Sequence, residues 1–255
     1  MGRLPAFFGV LLVTLAWETF RPSRPWNDAR PRRLGFHAAV AAGNTLVMRL
    51  LLVPPLMAWV AFIHRKGWGL GGALGLTGWP EVLATLVVLD MLDYWWHRLN
   101  HRVFFFWRFH RAHHSDTHVD ASTSLRFHLG ELVLSTLAKT LWVLAWGPSV
   151  FAFTVFEAAI TAFAQFHHAN VDLPEPGERL VRLFHMTPRL HAAHHTVTLR
   201  TRDANFSTIF LWWDRLFGTF READAGELAA LGLPELRAGD LSWAAFLAAP
   251  ARLGP

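Results

Sequence analysis

Histidines at helical spacing are the feature of this sequence best suited to chemistry. All of its 15 histidines except His37 and His64 lie between positions 97 and 195. They form three groups, which are His97 with His101, His110 with His113 and His114, and His191 with His194 and His195. The i,i+3 and i,i+4 spacings place the members of a group on one face of an α-helix, with Cβ atoms roughly 5 to 6 Å apart. Each group can therefore direct its imidazoles into one volume.

Eight imidazoles that converge would be a donor set for transition metals. Neutral imidazole binds zinc, iron, copper and nickel. Eight ligands exceed what one tetrahedral or octahedral ion accepts, so the sequence predicts a centre of two metal ions. A lone HxxxH pair is common on solvated helices, but two HxxHH groups beside it are not expected on an ordinary surface. His168 is a candidate ninth ligand, with its neighbour His167 as the alternative.

The remaining histidines and the nearby acidic residues have less specific patterns. His118, His128 and His185 are interpreted as structural residues or as partners of the ligands. His37 and His64 are interpreted as unrelated to the site. Because metal-bound imidazole usually gives its second N–H to a carboxylate or carbonyl, some acidic residues near the groups should accept such bonds. The candidates are Asp90, Asp93, Asp116, Asp120, Glu131, Asp172 and Asp203.

Several other kinds of chemistry are excluded or disfavoured by the residue content. The chain has no cysteine, which excludes disulfides, thiolate zinc sites, iron–sulfur clusters and cysteine nucleophiles. Arg98 stands where an HExxH metalloprotease would carry its glutamate base, so peptidase chemistry is disfavoured. The net charge of +5 is carried by short basic clusters between apolar stretches, a pattern that favours membrane-protein loops over nucleic-acid binding.

The composition predicts an all-α, polytopic integral membrane protein. Hydrophobic residues make up 53% of the chain and charged residues only 17%, whereas soluble chains carry roughly 25% charged residues. Residues 4–17 are predicted to form a short first span or anchor. Residues 21–33 hold five arginines and three prolines, which predicts an irregular loop on the cytoplasmic side. Residues 34–63 could form one tilted span, with a kink or break at Pro54–Pro55.

The later apolar segments should bring the histidines together. A helix from about Trp79 to Trp96 is expected to return the chain to the cytoplasmic side just before His97. Residues 131–166 are predicted to form a helical hairpin that turns at Gly147–Pro148, either as two full spans or as a shallower re-entrant pair. Either hairpin returns to the side it left, so one shared site at the cytoplasmic interface is expected. Its aromatic residues are interpreted as core packing or lipid-facing; they include Trp142, Trp146, Phe151, Phe153 and Phe156.

The ordered set of motifs resembles the fatty acid hydroxylase/sterol desaturase superfamily of membrane-bound di-iron enzymes. The resemblance spans roughly residues 82–220. It rests on HxxxH at 97–101, HxxHH at 110–114, His168–Asn170, Thr187–His191 leading into the second HxxHH, Asp203–Phe206 and Trp213–Thr219. Arg126–His128 with Glu131 is also similar, although Leu129 stands where proline is common in the family.

The resemblance implies an oxygen-dependent enzyme that hydroxylates or desaturates a lipid. It implies two iron ions held by His97, His101, His110, His113, His114, His191, His194 and His195, with His168 as the extra ligand. Zinc could occupy the same nitrogens as a substitute. The expected partners are a lipid, O2 and an external electron donor such as a reductase, ferredoxin or cytochrome, because the sequence contains no candidate electron-carrier domain. The expected division is membrane spans and basic loop at 1–81, catalytic domain at 82–220, and tail at 221–255.

Two other functions are compatible with a histidine-rich membrane protein. A metal-binding or transport protein without oxygenase activity would distribute ligands along its spans, whereas these groups lie at the ends of predicted spans. A pH sensor would use histidine protonation, but adjacent histidine pairs give no clear advantage in that role. The oxygenase is therefore the leading hypothesis.

Overall fold

The computed structural model describes residues 3–26, 29–239 and 241–251, and this part of the chain is helical. The described residues contain no β-strand, only two isolated bridges, His185 to Phe210 and Thr196 to Leu231. The predicted all-α fold is therefore confirmed. The helices are α1 Arg3–Phe20, α2 Arg30–Leu51, α3 Val53–Arg65, α4 Leu70–Ala73, α5 Gly78–Arg102, α6 Phe104–His114, α7 Leu129–Trp146, α8 Val150–His168, α9 Glu175–Val181, α10 Pro188–His194, α11 Leu199–Arg202, α12 Trp212–Leu216, α13 Ala225–Leu228 and α14 Trp243–Ala248. Short 3-10 turns lie at Ala121–Leu125, Pro234–Gly239 and Ala249–Ala251.

The number of long apolar helices makes this a multi-pass membrane protein. Among the described residues, α2, α7 and α8 are each long and apolar enough to cross a bilayer. The segments Val53–Ala73 and Gly78–Arg102 meet that standard only together, as a pair bent by 79°. Counting the pair as one broken span gives four. Within α1, the apolar stretch Phe7–Phe20 is shorter than these spans, which suits an anchor.

The boundaries before α5 differ from the sequence-based expectation. The basic loop ends earlier than predicted, because α2 already begins at Arg30, with Pro31 in its first turn, where a missing N–H costs nothing. The break expected at Pro54–Pro55 in the span 34–63 is present, but it lies at Leu52 and divides the span into two helices. Pro54 and Pro55 lie in the first turn of α3, for the same reason.

Helix α5 also runs further than predicted. It ends at Arg102 instead of near Trp96, so His97 and His101 lie in its last turns. The backbone at Val103 is extended (φ −105°, ψ 113°), and α6 begins at the next residue. Helix α6 packs against α5, which brings its histidines back over the end of α5.

The predicted hairpin is confirmed as α7 and α8. Gly147 ends α7 with a left-handed φ of +76°, and a Cβ there would lie 1.9 Å from the Trp68 carbonyl oxygen, so only glycine fits. Ser149 caps α8 by accepting a hydrogen bond from the Ala152 N–H. Both arms pack against α3 and α5. At 18 and 19 residues, each arm is long enough to cross the bilayer.

One apolar cluster joins the hairpin to α3 and α5. It contains Leu56, Val60, Ile63, Leu89, Val143, Trp146, Phe153 and Phe156. Trp142 packs against this cluster, and Phe151 is 61% exposed on the outside of the bundle. The interpretation of these aromatic residues as packing or lipid-facing is therefore confirmed. The cluster fixes α5 and α8, whose far ends carry histidines.

Helix α1 packs along α8 and is tied to its end. Leu11, Leu15 and Trp17 pack near Ala169 and Val171, just after the last turn of α8. The Glu18 carboxylate accepts hydrogen bonds from the N–H groups of Ala121 (2.9 Å) and Asn170 (3.0 Å). The N-terminal helix therefore buttresses the segment that follows His168.

Candidate metal centre

The nine candidate ligands form two adjacent groups. His97, His101, His110, His114 and His194 make one group, and His113, His168, His191 and His195 make the other. Within each group, one ring nitrogen from every residue lies within 4.8 Å of the others. The His114 and His195 rings stack at a centroid distance of 4.3 Å, which places the two groups side by side.

The two HxxHH motifs divide their members between the groups in a complementary way. On α6, His110 and His114 face the five-histidine group and His113 faces the four-histidine group. On α10, His191 and the following His195 face the four-histidine group and His194 faces the other. Adjacent helical residues project about 100° apart, so a neighbouring pair can straddle two ions. The ends of α5 and α8 supply the remaining ligands.

Hydrogen bonds fix the ring orientation in the five-histidine group. The Nδ1–H of His97 donates to the Phe206 carbonyl oxygen (2.8 Å), and that of His194 donates to the Ala204 carbonyl oxygen (2.6 Å). His110 Nδ1–H donates to Glu131 Oε1 (2.7 Å). A neutral imidazole with its proton on Nδ1 carries a lone pair on Nε2. Nε2 is buried without a hydrogen-bond partner in His101, His110 and His194.

The four-histidine group brings acceptor nitrogens face to face. His168 Nδ1–H donates to the Ala164 carbonyl oxygen (2.7 Å), and His113 Nδ1–H donates to the Arg126 carbonyl oxygen (3.3 Å). Their Nε2 atoms, left as lone pairs, are 3.1 Å apart. His191 Nε2 lies 3.0 Å from His168 Nε2. Lone pairs at this separation repel, and a cation among them removes the repulsion, so this group fits a metal ion.

Burial favours the metal-binding form of the histidines outside the membrane-spanning helices. Loss of hydration lowers the pKa of His113, His114, His191, His194 and His195 well below the usual 6.5. The neighbouring histidines lower each pKa further, because protonated rings would repel. The rings are therefore neutral near pH 7, as ligation requires.

Two of the proposed acidic partners contact ligand candidates directly. Glu131 accepts from His110, and Asp203 Oδ1 lies 3.3 Å from His101 Nδ1. Asp90 and Asp93 instead bind residues 208–210, in the segment that follows Phe206. Asp93 accepts from the Thr208 hydroxyl (2.8 Å), and Asp90 accepts from the backbone N–H groups of Ile209 and Phe210 (both 3.0 Å).

The sequence reasoning missed Asp214 as a support of the centre. Its carboxylate accepts from the backbone N–H groups of Phe206 (2.8 Å) and Ser207 (2.9 Å) and from the Thr219 hydroxyl (2.6 Å). Phe206 offers the carbonyl that holds His97. The sequence contained one indication of this role, because Asp214 lies within the Trp213–Thr219 motif although that motif contains no candidate ligand.

The histidines outside the two groups have structural contacts. His128 caps α7, where its Nδ1 accepts from the Gly130 N–H (3.0 Å). The backbone of His185 forms an isolated β-bridge with that of Phe210, and His64 is exposed at the end of α3. His167 lies outside both groups, with Nδ1 3.3 Å from the Thr208 carbonyl oxygen. His118 also lies outside both groups, with Nδ1 3.1 Å from the Thr117 hydroxyl.

A family model described as fatty acid hydroxylase matches residues 82–219, which is more than half of the chain. The protein belongs to the fatty acid hydroxylase family. All nine grouped histidines lie inside the matched segment. Helices α1 to α4, which precede the matched segment, pack against it along α7 and α8. No solved structure matches the chain.

Relatives within this family modify lipids. The chain is 32% identical over 167 residues to ornithine lipid hydroxylase of Rhizobium tropici, covering 61% of this chain and 47% of that protein. It is 33% identical over 144 residues to alkylglycerol monooxygenase of Danio rerio, covering 56% and 31%. A very-long-chain aldehyde decarbonylase of Oryza sativa subsp. japonica is 27% identical over 196 residues, covering 72% and 73%. The chain thus spans less than half the length of the first two relatives.

Proposed function

We propose that this protein is an oxygen-dependent di-iron oxidoreductase that hydroxylates or desaturates a C–H bond of a membrane lipid. The observation that carries the proposal is the pair of adjacent histidine groups at the ends of apolar helices. Family membership supports it, as do relatives named as lipid hydroxylase and monooxygenase. The grouping of all nine candidates in one place argues against a transport pathway, which would distribute ligands through the spans.

The proposed ligands of one iron are His97, His101, His110, His114 and His194. Those of the other are His113, His168, His191 and His195. His168 is preferred to His167 because its Nε2 lies 3.1 Å from His113 Nε2 and 3.0 Å from His191 Nε2. Bound iron would supply the redox chemistry that activates O2 and removes hydrogen from an unactivated carbon. Zinc could occupy the same nitrogens without supporting that chemistry.

The chain's own contribution is to orient ligands and exclude water. The Nδ1–H groups of His97, His194 and His168 donate to the carbonyl oxygens of Phe206, Ala204 and Ala164, respectively. The Nε2 atoms of these rings therefore face inward before any ion arrives. Glu131 adds a negative charge behind His110, which strengthens the imidazole as a donor. Seven of the nine histidines are buried and His97 and His101 are partly buried, which keeps bulk water from the reacting carbon.

The centre is proposed to face the cytoplasm, where a reductase, ferredoxin or cytochrome would supply electrons. Arg21 and Arg24 lie in the segment between α1 and α2, and the backbone N–H of Arg24 donates to the Asn170 side chain, next to the end of α8. By the positive-inside rule, this arginine-rich end is cytoplasmic. The proposed division remains spans at 1–81, catalytic domain at 82–220 and tail at 221–255.

Reconstitution tests the function. The protein, purified in detergent and loaded with Fe²⁺, is incubated with bacterial phospholipids and aminolipids, O2, NADPH and a ferredoxin–reductase pair. The expected result is about two irons per chain and O2 uptake coupled to a lipid product that is 16 mass units heavier or 2 lighter. A His194→Ala variant serves as the inactive control.

Two results would contradict the proposal. Iron bound without any oxidised lipid, across the lipid classes tested and in lipid extracts of cells with and without the protein, would favour a metal-binding role. Product formation that continues after the reductant is removed would exclude an O2-dependent monooxygenase.

A further inference from the structure

A buried polar network connects α2, which lies before the family segment, to the four-histidine group. Arg33 on α2 is fully buried and forms a two-pronged ion pair with Asp116, through Nε to Oδ1 (3.2 Å) and Nη2 to Oδ2 (2.9 Å). Its Nη1 donates to Asp120 Oδ2 (2.8 Å). Asp116 follows α6 by two residues, so Arg33 clamps the loop that leaves the second histidine motif.

His37, one turn after Arg33, extends the network in a defined tautomer. The Ser122 hydroxyl donates to Asp120 Oδ1 (2.5 Å), because an ionised carboxylate only accepts. The Ser122 oxygen must then accept from His37 Nδ1–H (2.8 Å). With its proton on Nδ1, His37 presents a lone pair on Nε2, which accepts from Arg126 Nη1 at 3.4 Å.

Arg126 carries the connection to a candidate ligand. Its guanidinium donates to the Ala112 carbonyl oxygen (3.0 Å) and to the Ser115 hydroxyl (2.8 Å), on either side of the histidine pair that ends α6. Its own carbonyl oxygen accepts from His113 Nδ1–H. The His113 ring also stacks on Phe127, with centroids 4.5 Å apart and planes within 6°. The backbone at Arg126 therefore sets the ring of His113.

We infer that Arg33 and His37 are positioning residues of the metal centre, acting through Arg126 on His113. They hold the Arg126 carbonyl where it fixes the His113 proton on Nδ1 and turns Nε2 toward His168. The inference rests on the proposed metal-binding function and adds to it a contribution from α2. It also assigns the effect to one group, since the ring that the Arg126 carbonyl holds, His113, belongs to the four-histidine group.

Metal titration separates this role from general stability. Wild-type protein in detergent is stripped with a chelator and titrated with Co²⁺, with bound ion counted by elemental analysis and coordination followed by visible absorption. Wild type is expected to bind two ions. His37→Phe and Arg33→Met are expected to weaken binding of one of the two ions about tenfold, the lower end of the range for residues that bond a ligand directly, because they act through Arg126, and to leave binding of the other ion unchanged.

Controls identify the affected group. Arg49→Met changes an exposed arginine on the same helix and is expected to titrate like wild type. In a His97→Ala background, which removes one ligand from the five-histidine group and should lower its affinity, adding His37→Phe is expected to weaken binding at the four-histidine group as well. Ser122→Ala removes only the hydroxyl that accepts from His37. Its metal titration tests the same network if His37→Phe and Arg33→Met prevent folding.

The outcomes are distinct. Folded His37→Phe or Ser122→Ala protein that binds both ions with wild-type affinity and spectrum would overturn the inference and leave the proposed function standing. An equal loss of affinity for both ions would also overturn the inference, because it would indicate a general loss of structure. Failure of wild type to bind any Co²⁺ would overturn the proposed function and the inference with it.

Discussion

Glu131 gives the sharpest test of how the centre is held. Its carboxylate accepts from His110 Nδ1–H at 2.7 Å, and its side chain is only 6% exposed, so the bond is charge-assisted and poorly screened. Asp203 makes the corresponding contact to His101 at 3.3 Å, and its side chain is 28% exposed. The two carboxylates serve the same five-histidine group, so they form a matched pair.

Glu131→Gln keeps the size of the side chain and removes its charge. We expect metal affinity at the five-histidine group to fall about 10- to 100-fold, which corresponds to roughly 1.4 to 2.8 kcal/mol. Asp203→Asn should cost less than tenfold, because its contact is longer and its carboxylate is more exposed, so solvent screens the charge. The expected difference in affinity loss between the two variants follows from distance and burial, since each variant replaces a carboxylate by an amide.

A chelator competition measures both variants on equal terms. Fe²⁺-loaded protein is titrated with a chelator of known affinity, and the retained iron is counted at each concentration. Circular dichroism and thermal unfolding check that both variants keep the wild-type fold. An Asp203→Asn effect equal to or larger than that of Glu131→Gln would refute the reasoning, as would wild-type affinity in Glu131→Gln.

Three further predictions follow from other contacts. Changing His113 or His194 to alanine should abolish lipid oxidation and lower bound iron, measured by elemental analysis, while membrane insertion stays intact; oxidation retained in both variants would contradict the ligand assignment. Glu157→Leu should destabilise the protein by about 3 to 5 kcal/mol in thermal unfolding, because it strands Lys139, its partner at 2.5 Å, in the membrane bundle. Adding Lys139→Leu should restore most of that loss, and a double variant no more stable than the single would exclude the ion pair as the cause. Gly147→Ala should lower stability by more than ~1–2 kcal/mol, from left-handed strain and collision with a backbone carbonyl, and an unchanged melting temperature would show that the turn can rearrange.

Local patterns explain why so much of the fold could be predicted from the sequence. The hairpin is signalled by a glycine and a proline between two apolar runs, and the structure shows why the glycine is needed there. The helix boundaries near Arg30 and Leu52 were harder. Proline disrupts a helix interior but suits a first turn, and composition alone does not say which position it occupies.

Long-range polar contacts explain what could not be predicted. Arg33 and His37 look like loop and membrane residues in sequence, yet each pairs with side chains more than 80 positions away. Their roles depend on which face of α2 meets the loop after α6, and apolar periodicity does not specify a buried polar partner. Asp214 was overlooked for a similar reason, since two of its three bonds go to backbone N–H groups, which do not depend on the identity of the side chain.

The spacing within the HxxHH motifs shows how a sequence pattern can encode two neighbouring ions. On α6 the i,i+4 pair serves the five-histidine group and the middle histidine serves the other; in the α10 motif the assignment is reversed. The HxxxH pair on α5 and the single histidine ending α8 complete sets of five and four. Neither set can form unless three helices are in place, because α5, α6 and α10 supply the set of five and α6, α8 and α10 with the adjoining His195 supply the set of four. Metal binding at each group should therefore report the assembly of its three helices, and displacement of α10 should weaken both groups whereas displacement of α8 should weaken the four-histidine group.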